Sequence, residues 1–188
     1  IRDVKVINRF TGKGLRLVMV GRLTYQKGVD RVLPMLKNIN NCHLTILGDG
    51  YEKEKLEKII LKLGIEKKVK FIGFSDIANS YIAGADYLLL PSRWEGLPNV
   101  VLESLVLGTP VISFKQIVGL NDFLPIVSEN NLRLCRNEYE MEELLKSLKN
   151  RKDFVLPIVR ENLLKKINNP KSYAQNIEKM IRGLIIAG

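Results

Sequence analysis

Ser92-Arg-Trp-Glu-Gly-Leu-Pro-Asn-Val-Val-Leu-Glu-Ser-Leu-Val-Leu-Gly-Thr109 lies between two short apolar runs, Tyr87–Leu90 before it and Val111–Phe114 after it. Within the stretch, Val101, Leu102, Leu105 and Val106 recur at helical spacing and form a stripe to be buried. Pro98 suits the first helical position, where a missing N–H leaves nothing unsatisfied. Gly108 is placed to end the helix, and Pro110 prevents its continuation. The pattern predicts strand, helix, strand, with Glu95 in the turn before the helix and Glu103 in its second turn. Strands this short, lacking regular polar alternation, suit a parallel sheet covered on both faces.

The same alternation continues on either side of this stretch. Leu15–Val20, His43–Leu47 and Val69–Ile72 read as strands. Val29, Val32, Leu33 and Leu36 mark a helix that Pro34 is expected to distort or shorten. Leu56, Ile59, Ile60 and Leu63 line a second helix closed by Gly64, and a short one is expected over Asp76–Ala83. Beyond Val118 the pattern weakens: Leu132–Leu134 adds a strand, Met141–Leu148 and Phe154–Ile167 add helices, and a last helix over Ser172–Ile185 carries an apolar face. Repeated βα units predict an α/β domain with a parallel sheet and helices on both faces. Ligands of such sheets bind outside the carboxyl ends of the strands.

With 188 residues the chain fits one domain, alone or with a helical extension. No apolar run reaches the roughly 18 residues of a membrane span, and the charged opening Ile1-Arg-Asp-Val-Lys does not read as a secretory signal. Cys42 and Cys135 stand far apart, without a metal-ligand spacing, so both read as packing residues and no metal site is expected. Their scarcity fits a reducing, cytoplasmic compartment. His43, the one histidine, starts a strand without a catalytic partner in view and reads as structural. The net charge of +10 is spread over several helices rather than interleaved with aromatics, which argues against nucleic acid. It leaves two readings, a lysine-rich soluble surface or a peripheral contact with an anionic membrane.

The Glu95-Gly-Leu-Pro-Asn-Val-Val-Leu-Glu103 run followed by Gly108-Thr-Pro-Val-Ile112 resembles the E-x7-E segment of retaining glycosyltransferases of the GT4 family. Val20-Gly-Arg-Leu-Thr-Tyr-Gln-Lys-Gly28 resembles that family's G-R-L and K-G segment at Gly21, Arg22, Leu23, Lys27 and Gly28. The implied fold is the C-terminal half of a GT-B enzyme, a Rossmann-like parallel sheet with helices on both faces, and the likeness covers roughly residues 8–185. It implies a linker over residues 1–14, a nucleotide-sugar-binding domain over 15–168, and a C-terminal helix over 169–188 that crosses toward an absent N-terminal acceptor domain.

The resemblance implies that Arg22 and Lys27 hold the donor diphosphate, Glu95 the hydroxyls of the transferred sugar, and Glu103 those of the ribose. Chemistry agrees: a guanidinium fork and an ammonium suit a pyrophosphate, and a carboxylate accepts several hydroxyl hydrogen bonds. Gly21 and Gly48 line the donor cleft, Gly73 and Phe74 stand where the base is held, and the backbone of Gly96, Leu97, Pro98, Asn99 and Val100 meets the sugar and distal phosphate at a helix start. Competing local readings are a turn former at Gly48, a strand-to-helix turn capped by Ser75 or Asp76, and a packing role for Trp94 instead of a wall beside the sugar. The segment after Phe114 lacks the fuller glycine pattern of the family. The expected substrate is a UDP- or GDP-sugar, with no tightly bound cofactor and an enzyme inactive as this domain alone. Rival functions are an inactive nucleotide-sugar sensor, a nicotinamide or flavin domain, which would need a glycine fingerprint missing from the first strand, and a phosphorylase-like enzyme.

Overall fold

A computed structural model of the chain describes residues 14–96, 98–120 and 127–148. Strands β1 (Leu15–Val20), β2 (Cys42–Leu47), β3 (Val69–Gly73), β4 (Tyr87–Leu90), β5 (Val111–Phe114) and β6 (Leu132–Cys135) form one six-stranded sheet in the order β3-β2-β1-β4-β5-β6. Every neighbouring pair is parallel. Helices α1 (Val29–Lys37), α2 (Lys53–Leu63), α3 (Ala78–Gly84), α4 (Asn99–Val106) and α5 (Glu138–Ser147) connect or flank these strands. The chain runs outward from β1 through β2 to β3, then returns to the other side of β1 with β4. That reversal opens a crevice between the carboxyl ends of β1 and β4.

Side-chain alternation divides the core in two. Leu17 and Met19 of β1 join α1, α2 and α5 in one cluster, through Val32, Leu36, Leu56 and Met141 among others. Val18 faces the opposite side with α3 and α4, meeting Ile82, Val101, Leu102 and Leu105. The helices on both faces are thus held by apolar burial, each fully buried leucine contributing about 1.5–3 kcal/mol before its entropy cost. Cys42 and Cys135 lie in this core, and burial pushes their thiols up to about 12 and about 11.

Each strand agrees with the sequence expectation to within one residue, and the helices depart for local reasons. Helix α1 continues through Pro34 to Lys37 because the proline ring stands on the solvent face. Its missing N–H leaves one carbonyl of the first turn to water. Pro98 takes the N-cap position, not the first helical one: its φ of −77° and ψ of 98° are extended, and α4 begins at Asn99. Neither Ser75 nor Asp76 caps α3, which begins at Ala78 without a side-chain cap. Helix α5 starts earlier than its apolar stripe because Asn137 Oδ1 accepts from the Glu140 amide at 2.9 Å. Gly64 closes α2 with φ 67°, as expected. The linker before Gly14 and the helices expected over 154–167 and 172–185 lie outside the described residues.

One cation holds the end of α1. Lys68 Nζ donates to the carbonyls of Leu36 at 2.7 Å and Ile39 at 2.9 Å, filling acceptors that the helix leaves unsatisfied. Lys68→Met is expected to destabilise the fold by about 1–2 kcal/mol, read as a lower urea midpoint with an unchanged slope.

Candidate active site

The carboxyl edge of the sheet is a ledge of closely approaching backbone. Gly48, with φ 131°, donates its amide to the Gly73 carbonyl at 2.8 Å, and the Gly21 amide donates to the Leu47 carbonyl at 2.9 Å. A side chain at Gly48 would overlap the Gly21 carbonyl oxygen, so the turns after β1, β2 and β3 stand side by side. Across the crevice, Gly28, with φ 65°, lies so close to the Pro91 carbonyl that any Cβ would strike it. The loops after β1 and β4 are therefore in direct contact.

That contact brings two of the singled-out residues together. Lys27 Nζ meets Glu95 Oε1 at 2.7 Å, and Ser92 Oγ donates to the same oxygen at 2.7 Å. The Glu95 side chain is 8% exposed and that of Lys27 23%, so the pair is shielded without being sealed. The other oxygen of Glu95 has no hydrogen-bond partner among the described residues, and an ammonium retains two further N–H groups after meeting one acceptor. Lys27 lines a cleft with Gly21, Arg22, Leu90, Pro91 and Ser92, and Glu95 stands against it through that ammonium. Arg22 is exposed, and its guanidinium makes no hydrogen bond or ion pair among the described residues.

Glu103 stands apart from that pair, in the second turn of α4. It is half-buried, its carboxylate has no hydrogen-bond or ionic partner among the described residues, and burial raises its carboxyl pKa above the ordinary value. A desolvated, unpartnered carboxylate favours a ligand that brings hydrogen-bond donors. The same helix has no side-chain cap, and the Asn99 and Val100 amides have no acceptor among the described residues. Phe74 is 84% exposed at the end of β3. Leu97 lies outside the described residues. Trp94 is 55% exposed, which removes the reading that packs it beneath the loop.

Several residues around the cleft were not singled out in the sequence. Arg31 Nη1 donates to the Pro91 and Ser92 carbonyls at 3.1 and 3.3 Å, while its Nε meets Glu138 at 2.8 Å and its guanidinium lies 3.7 Å over the Phe114 ring. Arg93 forks onto Asp30, and Gln26 Nε2 donates to the Trp94 carbonyl at 3.0 Å. The turn Val118–Leu120 after β5 packs on Gly96, so that a side chain at Gly119 would overlap the Gly96 carbonyl. Such pairings join residues from 23 to 107 positions apart and carry no local signal; only strand order announces them. Gly119→Ala is expected to cost about 1–3 kcal/mol through this overlap and to displace the loop carrying Glu95, read by urea unfolding.

Comparison with known proteins decides the lineage. A family model described as "Glycosyl transferases group 1" matches residues 2–149. The chain belongs to this family. Among group 1 glycosyl transferases, the lipopolysaccharide core biosynthesis glycosyltransferase LpsE of Rhizobium meliloti is 33% identical over 129 residues, which are 60% of this chain and 38% of that protein. The amylovoran biosynthesis glycosyltransferase AmsD of Erwinia amylovora is 36% identical over 107 residues, 56% of this chain and 30% of that protein. Among solved structures, the apo lipopolysaccharide outer core galactosyltransferase WaaB superposes with TM-score 0.72 at 24% identity, over 96% of this chain and 52% of that one. Anabaena HepE, solved with UDP and glucose, superposes with TM-score 0.70 at 19% identity, over 93% of this chain and 49% of that one. These likenesses establish the GT-B glycosyltransferase fold for the group 1 chain, which spans about half the length of those structures.

Proposed function

We propose that this chain binds a nucleoside diphosphate sugar and forms the donor half of a retaining glycosyltransferase. One observation carries the reading: Lys27 and Glu95, from loops 68 residues apart, meet at the crevice where strand order reverses, beside an exposed Arg22 and the uncapped start of α4. Arg22 and Lys27 take the diphosphate, the free oxygen of Glu95 takes a sugar hydroxyl, Glu103 takes the ribose, and the Gly73–Phe74 turn takes the base. In the reaction the bond between the anomeric carbon and the diphosphate oxygen breaks, with its electrons passing to that oxygen. An acceptor hydroxyl bonds to the same face of the carbon, and its proton goes to the departing phosphate. The two cations stabilise the charge that develops there.

The relatives named for lipopolysaccharide core and amylovoran biosynthesis support a glycan or lipid-linked acceptor, held by an N-terminal domain outside this chain. The solved complex of HepE with UDP and glucose supports a UDP-sugar as donor. Such an enzyme would work in the cytoplasm, with the basic surface facing an anionic inner membrane. Calorimetric titration of the chain with UDP, GDP, ADP and NADH tests the donor reading. Saturable binding of one nucleoside diphosphate, lost in Arg22→Ala, is expected; preference for NADH, or equal binding by wild type and the variant, would overturn it.

A further inference from the structure

We infer that Arg93 is a positioning residue: it straps the loop after β4 onto the loop after β1, and so sets where the Glu95 carboxylate stands relative to Lys27. Four anchors issue from this residue. Nη1 and Nη2 fork onto Asp30 Oδ1 and Oδ2 at 2.9 and 2.6 Å, and Nη1 also donates to the Tyr25 carbonyl at 2.7 Å. The guanidinium lies 3.8 Å over the Tyr25 ring, and the Arg93 amide donates to the Gln26 carbonyl at 2.7 Å. Every one of these partners belongs to the segment between β1 and the first turn of α1, on the far side of the crevice.

Asp30 is well matched to the task. Its carboxyl is held below the ordinary value chiefly by the Arg93 hydrogen bonds, and it sits in the first turn of α1, where a carboxylate is favoured. A lysine at position 93 could place a charge near Asp30 but not a planar fork that also stacks on Tyr25. Glu95 follows two residues later, with Ser92 Oγ on the same carboxylate oxygen as Lys27. Freeing the strap therefore loosens the carboxylate that meets the Lys27 ammonium at the cleft's edge.

The consequence for sugar recognition rests on the donor-site reading above, whereas the strap itself does not. A nucleoside diphosphate lacks the group that Glu95 would hold, so losing the strap should separate UDP from UDP-glucose. The test uses Arg93→Lys and Asp30→Asn, each checked for cooperative melting, with calorimetry for UDP and UDP-glucose. Acrylamide quenching of Trp94, the only tryptophan, reads loop mobility directly. Both variants are expected to bind UDP within roughly twofold of wild type, to lose roughly tenfold of any preference for UDP-glucose over UDP, and to expose Trp94 to faster quenching. Equal losses for UDP and UDP-glucose, or unchanged preference, would overturn the positioning role. Should the wild type bind neither, the donor reading fails, and quenching alone decides: unchanged Trp94 accessibility in both variants would overturn the strap.

Discussion

Lys27→Met is expected to lower both thermal stability and nucleoside diphosphate affinity, and adding Glu95→Gln to it is expected to restore only the first. In the single variant Glu95, 8% exposed, loses the ammonium at 2.7 Å and retains only Ser92. Removing one member of a shielded pair strands the other. Because Lys27 is 23% exposed, the penalty is about 1–3 kcal/mol and falls short of that for a fully buried pair. A neutral glutamine at 95 carries no charge to strand, so the melting temperature should recover. Binding should not recover, since a charge-assisted contact to phosphate contributes about 1.5–3 kcal/mol, or roughly 10- to 150-fold in affinity. Melting curves and UDP calorimetry on the three chains decide it. If the double variant binds UDP as the wild type does, Lys27 serves the fold and not the phosphate.

Glu103→Gln should act in the opposite sense on the empty protein. Burial raises the Glu103 carboxyl pKa above 4.5, so the folded chain holds this proton more tightly than the unfolded chain does. The group then costs stability as pH rises through that interval, and the whole cost persists at neutral pH. The variant is therefore expected to melt above wild type at pH 7, with the difference vanishing in acid below the ordinary carboxyl value. Ribose hydroxyls donating to Glu103 would favour its charged form, so nucleotide binding would expel the proton. Wild-type affinity should consequently climb with pH across the raised carboxyl range, while Glu103→Gln binds roughly tenfold more weakly and lacks that component. Comparing the two chains at each pH cancels the titration of the nucleotide's own phosphate. A parallel pair of affinity profiles would remove Glu103 from the ribose site.

The strands were legible because each is an apolar run flanked by glycine turns or charged segments, a signal that needs no partner. Helix ends were less legible where geometry overrode type. Pro98 is chemically suited to the first turn, yet the chain reaches it extended, and the cap of α5 depends on how Asn137 is turned. The four charged candidates were readable from spacing and family likeness, while their relations were not. Nothing near Lys27 in sequence marks Glu95 as its partner, and the link between Arg93 and Asp30 spans 63 residues. Strand order is the missing term: once β4 is known to lie beside β1, the two loops must face each other. Gly119 escaped for the same reason, since its constraint is the carbonyl of Gly96 and not its own turn.

The pairing of β1 with β4 has a dynamic side. Their ladder consists of Leu17 with Tyr87 and Val18 with Leu88, whereas β1 and β2 are paired from Leu15 with Cys42 to Val20 with Leu47. At the amino end of the thinner seam, Arg16 grips the fully buried Asp86 through both carboxylate oxygens, at 2.7 and 3.1 Å. The seam is thus riveted at one end and strapped at the other, with few rungs between. Transient opening of the sheet should favour this line, and backbone amides of β1 and β4 should report it by hydrogen exchange. A donor bridging Arg22 on one bank and Glu95 on the other would bind only the closed seam, so its affinity and the protection of those amides are two readings of a single equilibrium.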